Sequence, residues 1–380
     1  MPQVYHTIII GAGIAGLNAA RFLRDDAIIL DKKREIGLPI QCGEGISIHA
    51  LEREQIELDP KWIRTYIHQI KRIMPNGKYI GERHEEPYAL VLDRSVFEKE
   101  LSRQVKWEIR LNTDVIKIDK AKAAWVVQTA SGDRFHSKHL IGADGPGSLT
   151  ASQVFNARHV LIPAMNYSVK FERPMPVDEL QMYIGQNIAP SGYAWFFPVS
   201  GHSANVGVLI KRKGKIKDYF QLFINTVLKP LFGDYKLLEN KSGTLTVNGF
   251  KPPFTKDGAF LVGDAGAFTD PIFEGGMNMA LLTGRLCAQS INNSLPDRYE
   301  QDINDLPFTG KDLVNAQKIF FGLGDEILNE LGDVINGAGT SFLATKEGRK
   351  AFMGKPGLVK NQSAIAEFAR VWGVAKPYLW

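Results

Sequence analysis

The hydrophobic positions open on a run, Val4 to Ile10, that stops at a cluster of glycines, Gly11, Gly13 and Gly16. Two more apolar stretches, Leu17 to Leu23 and Ala27 to Leu30, follow before Asp31. Short apolar runs bounded by turn residues read as buried strands, so the pattern predicts strand, glycine turn, helix, strand: a βαβ opening. Gly37 to Ser47 is expected to be a loop and Ile48 to Ile70 a helix ending before the turn at Pro75, Asn76 and Gly77. Tyr88 to Leu92 then reads as a strand and Ser95 to Gln104 as a helix.

Alternation returns between Trp107 and Ile141, where Val115, Ile116, Ile118, Trp125, Val126 and Val127 flank polar positions and predict a small β-meander. Asp144, Gly145, Pro146 and Gly147 break it. More strands are expected between Val160 and Leu209, a helix over Asp218 to Leu228, a strand over Ala259 to Val262, and long helices in the C-terminal portion, broken at Pro296, Pro307 and Pro356. The expected class is mixed α/β: a Rossmann-like domain with a parallel sheet, discontinuous over 1–80, 88–150 and 250–295, a β-rich unit over 151–249, and a helical segment over 296–380.

Composition narrows the picture. At 380 residues the chain exceeds one hydrophobic core, and 44% hydrophobic with 23% charged residues excludes disorder. The net charge of +5, from 46 basic and 41 acidic residues, is too mild to imply nucleic acid. Lys211 to Lys217 carries five cations in seven residues, so the rest of the chain sums to zero. Such a run is either a solvated turn or a patch for an anionic partner: lipid phosphate, an anionic membrane surface or a small acidic redox protein. Two cysteines, Cys42 and Cys287, support neither a disulfide framework nor a zinc cluster and point to a reducing, cytoplasmic setting. No uncharged apolar run reaches the roughly 18 residues needed to span a bilayer, so membrane contact is expected to be peripheral. The eight histidines show no metal-binding spacing, and no nucleophile-elbow serine occurs.

Gly11, Gly13 and Gly16 form G-x-G-x-x-G between a strand and a helix, and Asp31 ends the next strand. In that context the first glycine permits the turn, the second admits a pyrophosphate against the backbone and the third lets helix and strand approach, while the acid accepts from a ribose hydroxyl. Ala15, Lys32, Arg34 and Val115 are further candidates around this cradle. The motif alone does not separate FAD from NAD. A second constellation does: the strand Phe260-Leu261-Val262 ends in Gly263-Asp264, followed by Pro271, Gly275, Gly276, Met277, Asn278 and a helical run. It resembles the Gly-Asp fingerprint of FAD enzymes with the hydroxylase-type fold. The resemblance implies that Asp264 holds the ribityl chain and that the backbone beyond Gly276 faces the flavin pyrimidine, where a helix N-terminus stabilises negative charge.

Asp144 and Gly145 resemble a third fingerprint of that superfamily, with Ala151 in place of its trailing Arg, so NADPH docking is not inferred from it. Arg94, after Leu92-Asp93, matches a segment whose Arg reaches the cofactor; its plainer reading is a solvated residue at a helix start. The loop Gln41-Cys42-Gly43-Glu44-Gly45 and the segment Tyr193-Ala194-Trp195-Phe196-Phe197-Pro198, followed by Asn205 and Gly207, resemble the geranylgeranyl reductase family. That family reduces isoprenoid double bonds by hydride transfer from reduced FAD. The resemblance implies a prenyl lipid substrate, with NAD(P)H or a small acidic redox protein as electron donor. Val199 stands where the family usually has Lys, and Glu274-Gly275-Gly276-Met277-Asn278 replaces its Gly-Glu-Gly run.

Tyr193, Trp195 and Phe197 alternate and so share one face of a strand, either as packing between two domains or as the wall of a substrate channel. Cys42 in its glycine-rich loop either lies near the flavin and orders substrate or relays a proton, or simply fits a tight turn, and Glu44 either positions Cys42 or caps that turn. Cys287, in an apolar helix, reads as packing. Two rival readings stay open: a flavin monooxygenase or halogenase, and a non-redox flavoprotein such as a lipid cyclase.

Overall fold

The structure, a computed structural model, describes residues 3–121, 124–212 and 214–380. Strand Val4–Ile10 pairs in parallel with Ala27–Leu30 on one side and Arg134–Gly142 on the other. Being central and covered on both faces, it needs a nearly continuous apolar sequence. The sheet runs Thr255–Lys256, Ala259–Leu261, Arg134–Gly142, Val4–Ile10, Ala27–Leu30, Glu108–Arg110, and Val115–Ala121 with Ala124–Thr129 extends it as the expected antiparallel meander. Helices Ile14–Phe22 and Met277–Asn292 pack on each other so closely that a Cβ on Gly284 would lie 2.5 Å from the Ala15 carbonyl oxygen.

A second sheet runs Tyr235–Asn240, Leu161–Phe171, Ser203–Leu209, Tyr193–Ser200, Glu179–Ile184, Gln69–Ile73, Tyr79–Ile80. Between the two lies a small sheet of Gly45–Ser47, Ala89–Leu92 and Ile63–Ile67.

The expected helix Ile48 to Ile70 is corrected: it ends at Arg53, Gln55 adopts a left-handed φ of 55°, and Ile63–Ile67 is a strand whose Thr65 and Ile67 point inward while Arg64 and Tyr66 face solvent. A period of two overrode the helical reading. The boundary at residue 80 also moves. Gln69–Ile73 leaves the first unit and pairs in parallel with Glu179–Ile184, which would otherwise be an open edge of the second sheet. The helix expected over Asp218 to Leu228 is Ile216–Phe223 followed by a π-helical turn, Ile224–Leu228. Pro296 and Pro356 start helices rather than break them, since the first turn needs no N–H from its proline. The C-terminal helices share the core of the first sheet through Leu313, Phe320 and Trp372.

One buried carboxylate joins the sheets. Glu44, only 3% exposed and at a left-handed φ of 70°, accepts through Oε2 from Lys241 Nζ at 2.6 Å and Asn205 Nδ2 at 2.7 Å. Its Oε1 accepts from the Arg94 amide at 3.0 Å. Asn205 also donates to the Gly43 carbonyl, and Asn166 donates to the Cys42 carbonyl at 2.8 Å. The loop Cys42–Gly45 is thereby tied by side chains of the second sheet to the start of helix Arg94–Arg103.

Breaking a buried ion pair from one side typically costs about 3–5 kcal/mol. Glu44→Gln and Lys241→Met are each expected to destabilise on that scale in urea denaturation, with the double variant well short of the sum; additive losses would show that the pair does not couple the sheets. Gly284→Ala sets two effects against each other. Alanine favours a helix interior by about 1 kcal/mol over glycine, but overpacking costs about 1–3 kcal/mol, so a net loss of stability is expected and a gain would contradict the close helix contact.

Candidate active site

The glycine turn shows why each position is glycine. A Cβ on Gly11, whose φ is 106°, would sit 2.2 Å from the Ala143 carbonyl oxygen, and one on Gly16 would sit 2.0 Å from the Gly11 carbonyl oxygen. Gly13 instead faces open space, with nothing within 4 Å of its Cβ position, at the N-terminus of helix Ile14–Phe22. Jammed turn residues around one open position at a helix start fit a diphosphate, which takes the free amides and the positive end of the helix dipole. Asp31 is buried at the end of its strand, where Oδ2 accepts from Ala12 N at 2.6 Å and Oδ1 from Lys33 N at 2.8 Å. Each oxygen keeps a second lone pair. Lys32 and Arg34 are exposed beyond it, and Val115 begins its strand two residues past Thr113, whose amide donates to the Asp31 carbonyl.

The second fingerprint folds against the first. Gly263 takes a φ of 57°, and a Cβ there would lie 2.9 Å from Ala15 Cβ. Asp264 Oδ1 accepts from Thr269 Oγ1 at 2.6 Å and faces Gly276, the N-cap of helix Met277–Asn292. Met277 is buried, and Asn278 donates from Nδ2 to Ser47 Oγ at 3.0 Å, so its side chain braces the small sheet. Asp144 is likewise committed to its own loop, accepting from Ser148 Oγ and from the Thr150 amide and hydroxyl, while Gly145 beside it faces open space.

The aromatic triplet stands where these loops meet the second sheet. Tyr193, Trp195 and Phe197 are all buried. The Tyr193 hydroxyl donates to the Phe273 carbonyl at 2.7 Å, holding the 271–275 loop. Trp195 donates from Nε1 to Asn166 Oδ1 at 3.2 Å, and its indole covers Gly207, where a Cβ would lie 2.1 Å from the ring. Phe197 packs under the cysteine loop: a Cβ on Gly43 would be 3.0 Å from its ring and one on Gly45 3.3 Å. Close approach of an aromatic face therefore explains the glycines on both sides of Glu44.

Cys42 is half-buried, and its Sγ accepts from the Glu44 amide at 3.2 Å. Arg94 donates from Nε to Glu98 at 2.7 Å and stands beside the Cys42 thiol; burial opposes its charge, but Glu98 and Cys42 hold its pKa above the ordinary value. Arg94 is thus a partly buried, committed cation rather than a solvated one. Cys287 is fully buried, and burial pushes its thiol far above the usual range, as an inert packing residue requires.

Sequence reasoning missed a buried cluster behind the wall. Lys211 points inward: its Nζ lies 2.5 Å from Glu274 Oε1, donates to the Pro271 carbonyl at 2.6 Å and sits 4.9 Å from the centre of the Phe321 ring. The basic run is therefore not one surface patch. Arg212, Lys215 and Lys217 are exposed, and Lys213 lies outside the described residues. Burial raises Glu274 to about 8 against the pull of Lys211, and raises Asp270 to about 6 although it accepts from the Ile272 and Phe273 amides. A lone acid inside the apolar stretch Pro271-Ile272-Phe273 to Gly276 was the available signal. No group of metal-ligating side chains occurs among the described residues.

The sequence model of the "Geranylgeranyl reductase catalytic domain" matches residues 163–244, most of the second sheet. A digeranylgeranylglycerophospholipid reductase of Methanosarcina acetivorans is 28% identical over 373 residues, covering 88% of this chain and 89% of that one. One from Methanoculleus marisnigri is 30% identical over 310 residues, covering 76% and 77%. Among solved structures, a geranylgeranyl bacteriochlorophyll reductase-like protein from Thermoplasma acidophilum superposes with a TM-score of 0.82 at 24% identity, covering 96% of this chain and all of that one. The flavin-dependent halogenase CmlS shares the fold at a TM-score of 0.67 and 17% identity, covering 84% of this chain and 65% of its own. With a relative 30% identical over three quarters of both chains, and the family's catalytic-domain model matching residues 163–244, the chain belongs to the geranylgeranyl reductase family.

Proposed function

We propose that the protein binds FAD and saturates carbon–carbon double bonds of isoprenoid chains in prenyl lipids. The observation that carries this reading is the buried face of Tyr193, Trp195 and Phe197, closed between the cysteine loop and the 271–276 loop at the end of the dinucleotide cradle. When bound, reduced FAD supplies a hydride from N5 of its isoalloxazine.

The chain's own residues supply the rest. The Gly11–Gly16 turn receives the diphosphate at the start of helix Ile14–Phe22, and Asp31 takes a ribose hydroxyl on its spare lone pairs. Asp264 is assigned to the ribityl chain, and the amides after Gly276 to the pyrimidine, where a helix N-terminus favours negative charge. In this assignment Gly145, Arg94 and Gly43 border the cofactor, while the Asp144 and Asn278 side chains shape the loops that do so. The aromatic wall excludes water, so that a hydride reaches carbon rather than solvent. Saturation places hydride on one carbon and a proton on the other, and Cys42 Sγ is proposed to pass that proton. The FAD-binding unit is the first sheet with its helices, and the substrate unit is the second sheet, with Gln69–Ile80 included.

NAD(P)H or a small acidic redox protein is the proposed donor. Exposed Arg212, Lys215 and Lys217 are the proposed contact for an anionic surface, a membrane among them. Among the described residues no helix is long and apolar enough to cross a bilayer.

Incubating dithionite-reduced protein with geranylgeranyl lipids in the absence of oxygen is expected to add two hydrogens in mass per bond. Unchanged mass with an altered structure would indicate cyclisation, and an oxygen-dependent product a monooxygenase. Cys42→Ala is expected to retain FAD and lose about 10²-fold or more in turnover, the usual scale for a positioned proton donor; full turnover would remove Cys42 from the proton path.

A further inference from the structure

We propose that Arg72, with Lys376 beside it, receives the phosphate of the prenyl lipid's head group. The proposal rests on the isoprenoid-reductase reading above and names the end of the substrate that this reading leaves unplaced. Arg72 lies on strand Gln69–Ile73, opposite Met182, and its guanidinium carbon is 5.2 Å from the centre of the Phe273 ring and 5.7 Å from that of Trp372. Its Nε is buried without a hydrogen-bond partner. The charged or titratable groups that face it are Tyr88, Asp270 and Lys376. Asp270 already accepts from the Ile272 and Phe273 amides, and burial keeps the Tyr88 hydroxyl protonated. Lys376, exposed on helix Gln362–Leu379, adds a second positive charge, which desolvation and Arg72 disfavour and Glu82 supports. With Nε unpartnered and its facing carboxylate, Asp270, already accepting from two backbone amides, the guanidinium keeps donors that an anion would satisfy.

Position supplies the identity of that anion. The Phe273 ring beneath Arg72 packs against Tyr193 with centroids 6.0 Å apart, and Tyr193 against Trp195 at 5.7 Å. An aromatic path thus begins at a cation and ends at the cysteine loop, which is the shape of an amphiphile with an anionic head and an apolar chain. The planar fork of arginine suits the oxygens of a phosphate, and its faces remain stacked on the rings while its edge donates.

The test is calorimetric titration of the FAD-loaded protein and its Arg72→Met variant with geranylgeranyl phosphate, geranylgeraniol and inorganic phosphate. Wild type is expected to bind the phosphate ester about tenfold or more tightly than the alcohol, and Arg72→Met to lose that preference while holding the alcohol unchanged. Arg72→Lys, which keeps the charge, is expected to restore part of it. Equal weakening for ester and alcohol, or no weakening for the ester, would overturn the assignment. So would inorganic phosphate binding as tightly as the ester, which would make this a site for free phosphate. Absence of saturated product from both prenyl compounds would instead count against the reductase reading, independently of the binding ratio.

Discussion

The geometry of this protein depends on one buried carboxylate. Glu44 belongs by sequence to the loop after the βαβ opening, yet its partner Asn205 lies in the second sheet, Lys241 lies in the turn that follows that sheet's strand Tyr235–Asn240, and its third partner is the amide of Arg94. A buried ion pair contributes little net stability, because desolvation offsets attraction, but it penalises every arrangement that leaves one partner alone. Here the penalty falls on any displacement of the second sheet relative to the cysteine loop. Gly43 and Gly45 stay pressed on Trp195 and Phe197 for that reason, with the Cys42 carbonyl held by Asn166, and the aromatic wall has a fixed relation to the glycine cradle.

What the sequence disclosed follows from what is local. The βαβ opening was legible because a central parallel strand must be nearly continuously apolar and a turn this tight against backbone must be glycine, both visible within thirty residues. The alternation of Tyr193, Trp195 and Phe197 likewise disclosed a common face. Ile63–Ile67 was hidden inside an apparent helical run because two apolar positions in five match either period, and only pairing with Ala89–Leu92 decides. The place of Gln69–Ile73 in the second sheet, more than a hundred residues from its partner strand, left no local trace.

The polar residues behind the site were less legible for the same reason. Lys211 looked like the first of a solvated basic run, and only the fold shows it turned inward to Glu274 and Pro271. Asn166 and Lys241 carry no motif of their own; their work on the Cys42–Glu44 loop exists only because two sheets meet there. Asp144 and Asn278, read from fingerprints as cofactor ligands, are engaged with Thr150 and Ser47. A motif fixes which residue types gather at a loop, and the hydrogen bonds decide which of them face outward.

The central claim, that the wall at Tyr193, Trp195 and Phe197 delivers an isoprenoid double bond to reduced flavin, is tested most directly by the flavin itself. Protein reduced with dithionite and freed of the excess reagent should recover its oxidised absorbance when geranylgeranyl lipid is added without oxygen, in proportion to the lipid until each flavin has turned over once. A flavin that stays reduced under that lipid and reoxidises only when oxygen is admitted would contradict the account.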